Sequence, residues 1–187
     1  IKAYIDIGTN LMGGYNELKD ELGITDEWVK ILVEPNPECY TIIEPLIAQI
    51  PNATLLKCAL DVNRESKTLV TRADVNADTA ATLLDLDYLK KSINQWNQFP
   101  KEFLNYEVEC KTLDDILSLV DADEYYIKMD MEGKEFDILQ NDFPYKQSQK
   151  IKKLIVEFHC FTEEDKQRKS AILEVVKLLD IPYTDWH

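Results

Sequence analysis

Tyr126-Ile127-Lys128-Met129-Asp130-Met131-Glu132-Gly133 is the stretch that decides how this chain is read. It is an apolar strand with a lysine inside it and an aspartate at its tip, followed by a glycine turn. A lysine inside a core strand requires a partner, because buried charges are seldom left alone. A second segment, Leu154-Ile155-Val156-Glu157-Phe158-His159, has the same form, with a glutamate inside and a histidine at the tip. Side chains two apart on a strand share a face. If the two strands are neighbours, Lys128 pairs with Glu157 in the sheet, and Asp130 and His159 meet one step nearer the strand ends.

Working outward, apolar strand-like runs alternate with helix-like runs, the pattern of a parallel sheet with crossover helices. The expected strands are Ala3–Ile7, Val29–Val33, Ala53–Leu60, Lys67–Thr71, Tyr106–Lys111, Tyr125–Met129, Lys153–Phe158 and a last one within Ile181–Trp186. The expected helices are Tyr15–Glu21, Pro37–Gln49, one starting at Thr112, and Thr162–Leu179, with a short one inside Asp78–Asn94. Thr112 and Thr162 read as N-caps followed by acidic first turns, which suit the positive end of a helix.

The length of 187 residues suits one domain with one core, and the 45% hydrophobic content is ordinary for a globular chain. The chain is read as a single domain over 1–187, one that a longer protein could contain. A net charge of −14 argues against a nucleic-acid partner. Lys146, Lys150, Lys152 and Lys153 read as a solvated turn and helix flank. No apolar run is long enough to span a bilayer. Cys39, Cys58, Cys110 and Cys160 show no metal spacing and read as reduced core residues, which suggests a cytoplasmic setting.

In open parallel sheets, ligands bind beyond the carboxyl ends of the strands. The first strand leaves as Asp6-Ile7-Gly8-Thr9-Asn10-Leu11-Met12-Gly13-Gly14, where glycine allows close backbone approach to a ligand. The second leaves as Val33-Glu34-Pro35-Asn36-Pro37, and an acidic residue at that tip is the usual ligand of ribose hydroxyls. The third leaves as Ala59-Leu60-Asp61, where Asp61 is a candidate acceptor for an adenine amine and Leu60 for the ring face.

Together these segments, with Thr112-Leu113-Asp114-Asp115-Ile116-Leu117 and Ile127 through Glu135, resemble the FkbM family of S-adenosylmethionine-dependent methyltransferases. They occur in the family's order across nearly the whole chain. The resemblance implies an α/β, Rossmann-like class I methyltransferase fold, with a mostly parallel central sheet of seven strands and helices on both faces. It implies S-adenosyl-L-methionine as cofactor and O-methylation of a sugar or polyketide hydroxyl, so the expected partner is a small-molecule or glycan acceptor and not a membrane. Asp6, Gly8, Asn10, Gly13, Glu34 and Asp61 are the expected cofactor residues. The family usually has a second glycine two residues after the Asn, where Met12 stands here. Either the loop is shifted by one residue or cofactor binding is weakened.

His159 has the apt unperturbed pKa for a general base. Asp130 would orient it or hold the acceptor, and Glu132 is a second carboxylate for substrate hydroxyls. A divalent cation ranks behind this metal-free arrangement, because Asp130 and Glu132 have no evident third ligand, and no metal ligand is assigned. Two other readings stay open. Glu34 also suits a nucleotide-sugar or dinucleotide-dependent enzyme, and the altered glycine loop suits a non-catalytic module that keeps the fold.

Overall fold

The computed structural model describes residues 1–73, 77, 80–83 and 102–186. In chain order the strands are β1 (Lys2–Ile7), β2 (Val29–Val33), β3 (Ala53–Leu56), β4 (Ala59–Leu60), β5 (Lys67–Arg72), β6 (Phe103–Val108), β7 (Cys110–Lys111), β8 (Glu124–Met129), β9 (Ile151–Val156) and β10 (Tyr183–Asp185). The helices are α1 (Gly13–Glu21), α2 (Pro37–Ile47), α3 (Leu113–Leu117), α4 (Glu135–Asn141) and α5 (Glu163–Leu178).

The alternation along β1 sorts its side chains between two cores. Ala3, Ile5 and Ile7 pack with Leu113 and Ile116 of α3, Phe136 and Leu139 of α4, and Ile172 and Val176 of α5. Tyr4 faces the other way, with Leu18 of α1 and Cys39 and Ile43 of α2. A strand buried on both faces must be central, and β1 pairs in parallel with β2 on one side and β8 on the other. The full sheet has six strands in the order β10-β9-β8-β1-β2-β3, and every pair in it is parallel. The winding reverses between β1 and β8, and a ligand crevice is expected at that point. The expected Rossmann-like sheet with helices on both faces is present, with six strands in the main sheet among the described residues.

The expected capping residues do their work. Thr112 and Thr162 each accept from the backbone three residues on, and Asp115 and Asp165 return a bond to the cap residue's own backbone amide. Two expected strands are broken. Ala53–Leu60 divides into β3 and β4, and Tyr106–Lys111 divides into β6 and β7. β4 leaves the main sheet to pair with β7, while β5 and β6 form an antiparallel ribbon. The strand expected over Lys153–Phe158 ends at Val156, so Glu157 lies just beyond it and not inside. The short helix expected in Asp78–Asn94 falls largely outside the described residues.

The expected Lys128–Glu157 pair is not formed. Lys128 is level with Ile155 on β9 and with Asp6 on β1. Glu157 shares the face but sits one step further on, its amide bonded to Met129 O. The Lys128 ammonium instead lies 3.4 Å from Asp6 Oδ1 and 3.5 Å from Asp130 Oδ2, and donates to Gly8 O at 2.9 Å. Burial alone would discharge this lysine, but Asp6 and Asp130 hold its pKa above the ordinary value. Gly14 of α1 lies directly over it: a Cβ there would come within 3.0 Å of Lys128 Cε.

Lys128→Met should therefore strand Asp6, which is fully buried, and cost about 3–5 kcal/mol. For a chain of this size that corresponds to a fall in melting temperature of at least about 6 °C by circular dichroism. Glu157→Gln should change stability by about 1 kcal/mol or less, and equal losses in both variants would contradict the observed pairing.

Candidate active site

β1 ends at Ile7, and the chain must then clear the end of β8. Gly8 makes this possible with a left-handed backbone, φ 73°. Its amide bonds Val33 O at 3.0 Å, and a Cβ on it would fall 1.7 Å from Asp130 O. No other residue fits without moving the backbone of the facing strand. The glycine missing from the family pattern is explained here. Met12 itself takes the left-handed conformation, φ 66°, immediately before α1, and its side chain is buried against Tyr15 and Leu18. The strain of a non-glycine residue there, roughly 1–2 kcal/mol, is offset by the buried thioether chain. Gly13, expected to touch cofactor, is instead the exposed first residue of α1 and does not line the cavity.

Glu34 leaves β2 into the same crevice and is buried. Its Oε2 accepts from the Asn10 amide and its Oε1 from the Asn36 amide, each at 2.7 Å. Glu34 thus ties the first loop to the second and aims both carboxylate oxygens along fixed directions. Burial pushes its pKa up to about 7, although the two amides pull the other way.

A cavity of about 550 Å³, counting its open mouth, lies beyond the strand ends. Gly8, Asn10, Glu34, Leu60, Asp130 and Glu132 line it, with Val33, Ala59 and Leu69 as apolar wall. Of the expected cofactor residues, Gly8, Asn10 and Glu34 face this space. Asp6 does not: it lies under the loop, where it accepts from the Thr9 hydroxyl at 3.1 Å and pairs with Lys128. Asp61 does not either. It is fully buried between Lys67 at 2.6 Å and Lys134 at 3.0 Å, and these ammonium groups hold its pKa down against the effect of burial. Its role as an adenine acceptor is corrected to that of an anchor, while Leu60 beside it does reach the cavity. The break between β3 and β4 is what turns Leu60 there.

Asp130, Glu132 and His159 do come together, as expected for the tips of adjacent strands. His159 Nε2 is 3.3 Å from Glu132 Oε2, 3.9 Å from Asp130 Oδ1 and 3.9 Å from Glu157 Oε1. Its Nδ1 lies 3.0 Å from Glu135 Oε1. Glu135 is fully buried and accepts from the Met131 and Gly133 amides, so its position is fixed by backbone. Burial by itself would lower the imidazole's pKa, but its bonds to Glu132 and Glu135 and their charges outweigh this and push it up to about 12. A histidine whose two nitrogens both face carboxylates has no lone pair to offer a substrate proton, which corrects its expected role as general base. Burial raises Asp130 to about 7, with Lys128 opposing and Glu157 and Glu132 adding to the rise. Glu135 and Lys134 were not singled out from the sequence as site residues, although both belong to the Ile127–Glu135 segment. Glu135 is the first residue of α4, so the strand-tip reading passed over it.

The model of the methyltransferase FkbM domain family matches residues 6–181. No curated protein matches the chain. Among solved structures, a methyltransferase FkbM from Methylobacillus flagellatus KT has a similar fold, at 16% sequence identity and a TM-score of 0.57. The match covers 94% of this chain and 38% of that one, so this chain spans well under half the length of that structure. With the family pattern running through the strand tips that build the cavity, the chain belongs to the methyltransferase FkbM domain family.

Proposed function

We propose that the chain transfers a methyl group from S-adenosyl-L-methionine to a hydroxyl oxygen of a sugar-like or polyketide-like acceptor. The reading is carried by one observation: Gly8, Asn10 and Glu34 converge on a cavity at the switch point of a parallel sheet, with Asp130 and Glu132 on the same wall. Glu34 suits the two ribose hydroxyls, Leu60 and Leu69 suit an adenine face, and the Gly8 loop suits the methionine end. The carbon–sulfur bond breaks as the oxygen–carbon bond forms, sulfur leaves as a neutral thioether, and the hydroxyl proton passes to a carboxylate. Alignment of oxygen, methyl and sulfur supplies much of the rate, and removing the proton adds about 10²–10⁴-fold. Asp130 and Glu132 are the cavity-facing carboxylates that orient the hydroxyl and take up its proton. None of the four cysteines forms a disulfide, and no helix among the described residues is long and apolar enough to cross a membrane. Both observations fit the cytoplasmic setting proposed for this chemistry.

Calorimetry with S-adenosylhomocysteine, NAD and a nucleotide sugar tests the cofactor. S-adenosylhomocysteine should bind and the other two should not, and preference for either of those would replace the reading. Glu34→Gln should weaken S-adenosylhomocysteine by roughly 1–3 kcal/mol, or about 5–150-fold, through loss of charge-assisted hydrogen bonds.

The raised pKa of Glu34 adds a pH dependence. The native group holds its proton up to about pH 7, whereas the ordinary value is 4.5. The empty fold therefore loses this group's contribution to stability as pH rises from about 4.5 to 7. Ribose hydroxyls donate to the ionised form, so binding below pH 7 must expel a proton. Affinity should rise with pH up to about tenfold per unit below 7 and level off above it. Glu34→Gln should flatten that rise, and an unchanged profile in the variant would remove Glu34 from the ribose site.

A further inference from the structure

We propose that His159 serves the cavity as a fixed imidazolium, a positioning residue that holds Asp130 and Glu132 ready for the acceptor and keeps both of its own protons throughout. The assignment of Asp130 and Glu132 to the acceptor rests on the methyl-transfer reading, whereas the charge on His159 does not.

The two sides of the ring make opposite demands on a neutral imidazole. Nδ1 stands 3.0 Å from Glu135 Oε1. That carboxylate is fully buried, and its oxygens already accept from the Met131 amide at 2.7 Å and the Gly133 amide at 2.9 Å. A group held as an acceptor by two amides needs a donor from Nδ1 as well. On the far side, Nε2 faces Glu132 Oε2 at 3.3 Å, with Asp130 Oδ1 and Glu157 Oε1 each at 3.9 Å. A ring with its proton on Nδ1 alone would turn a lone pair toward three carboxylates. A second proton turns that repulsion into attraction. Lys128 reaches the cluster at Asp130 and divides its charge with Asp6.

Glu132 is held at both ends. Its backbone takes the left-handed conformation, φ 50°, which is costly for a residue with a side chain. The hydroxyl of the buried Thr82 donates to its carbonyl at 3.0 Å, and His159 meets its carboxylate. Strain of this kind persists where the surroundings over-determine it, often beside a ligand. Asp130 and Glu132 line the cavity, while His159 stands behind them and outside its wall. The consequence falls on Asp130. Burial raises its pKa, Glu157 and Glu132 add to the rise, and Lys128 and His159 oppose it, which leaves it at about 7. That value suits a base working near neutral pH. In the methyl transfer the acceptor's proton passes to Asp130, and His159 gives up none.

Long-range proton–nitrogen correlation spectra of the isotope-labelled whole chain read the ring directly, and His187→Gln assigns the signals by leaving His159 as the sole histidine. His159 should show two protonated nitrogens up to about pH 9, well above the range of an ordinary histidine. A titration near the ordinary value of 6.5, or a single neutral tautomer at neutral pH, overturns the proposal whether or not any variant of His159 folds. Positioning is read on Asp130 by carbon NMR of its carboxyl group. His159→Gln should raise the Asp130 midpoint by about one pH unit, the effect of removing an opposite charge at this distance. His159→Lys keeps a charge and should return most of that shift. A midpoint unmoved in folded His159→Gln, or moved equally by both substitutions, overturns the positioning role. S-adenosylhomocysteine should bind His159→Gln as it binds the wild-type chain, and the rise of kcat with pH should move upward in step with Asp130. A charged His159 in a chain that binds no S-adenosylhomocysteine keeps the imidazolium and removes the proposed reaction. A neutral His159 in a chain that binds it removes the imidazolium alone.

Discussion

The ammonium group of Lys128 is the constraint on which the rest of the site depends. It sits in the middle of the sheet with 2% of its surface exposed, between Asp6 of the neighbouring strand and Asp130 at the tip of its own. A buried charge of this kind is weak evidence for stability, because desolvation consumes most of what the pairing returns. What it provides is position. Lys128 donates to the Gly8 carbonyl and lies against Gly14, so one side chain holds the first loop, the start of α1 and the tip of β8 in a fixed relation. The cavity forms in the gap between that loop and that tip.

Acidic groups elsewhere in the site are fixed in the same manner, by backbone. Glu34 is held by two amides from two different loops, and Glu135 by two amides of the turn after β8. Each carboxylate thereby gains a single orientation before any ligand arrives, which lowers the entropy lost on binding. The cost is desolvation, visible in the raised pKa of Glu34 and Asp130. Ribose hydroxyls donating to Glu34 would relieve that cost there, in line with the role proposed for it.

Asp61 and Lys134 show a second pattern. Asp61 stands at a strand tip facing the crevice in sequence terms, yet it is turned inward to join Lys67 and Lys134. This fastens the β4–β7 pair to the start of α4 and leaves the apolar Leu60 to face the cavity. A planar aromatic ring is better served by that wall than by a charge.

The order of strands and helices, the caps at Thr112 and Thr162, and the placing of Gly8, Glu34 and Asp130 at strand ends were determined by the sequence alone. These features depend on local periodicity and on backbone conformations that few residue types permit. Met12 shows the limit of that logic. Its left-handed backbone looks like a departure from pattern until its side chain is seen filling a core. Tertiary structure decided everything that depends on register. Lys128 is level with Ile155 on the β9 side, one same-face step short of Glu157, and level with Asp6 on the β1 side, while ending β9 at Val156 leaves Glu157 near His159. Glu135 was in view in the sequence but had no visible role, because its partner lies 24 residues away. Sequence shows which residues end a strand, but which side chains then meet depends on how neighbouring strands are aligned, and only packing of the whole sheet sets that alignment.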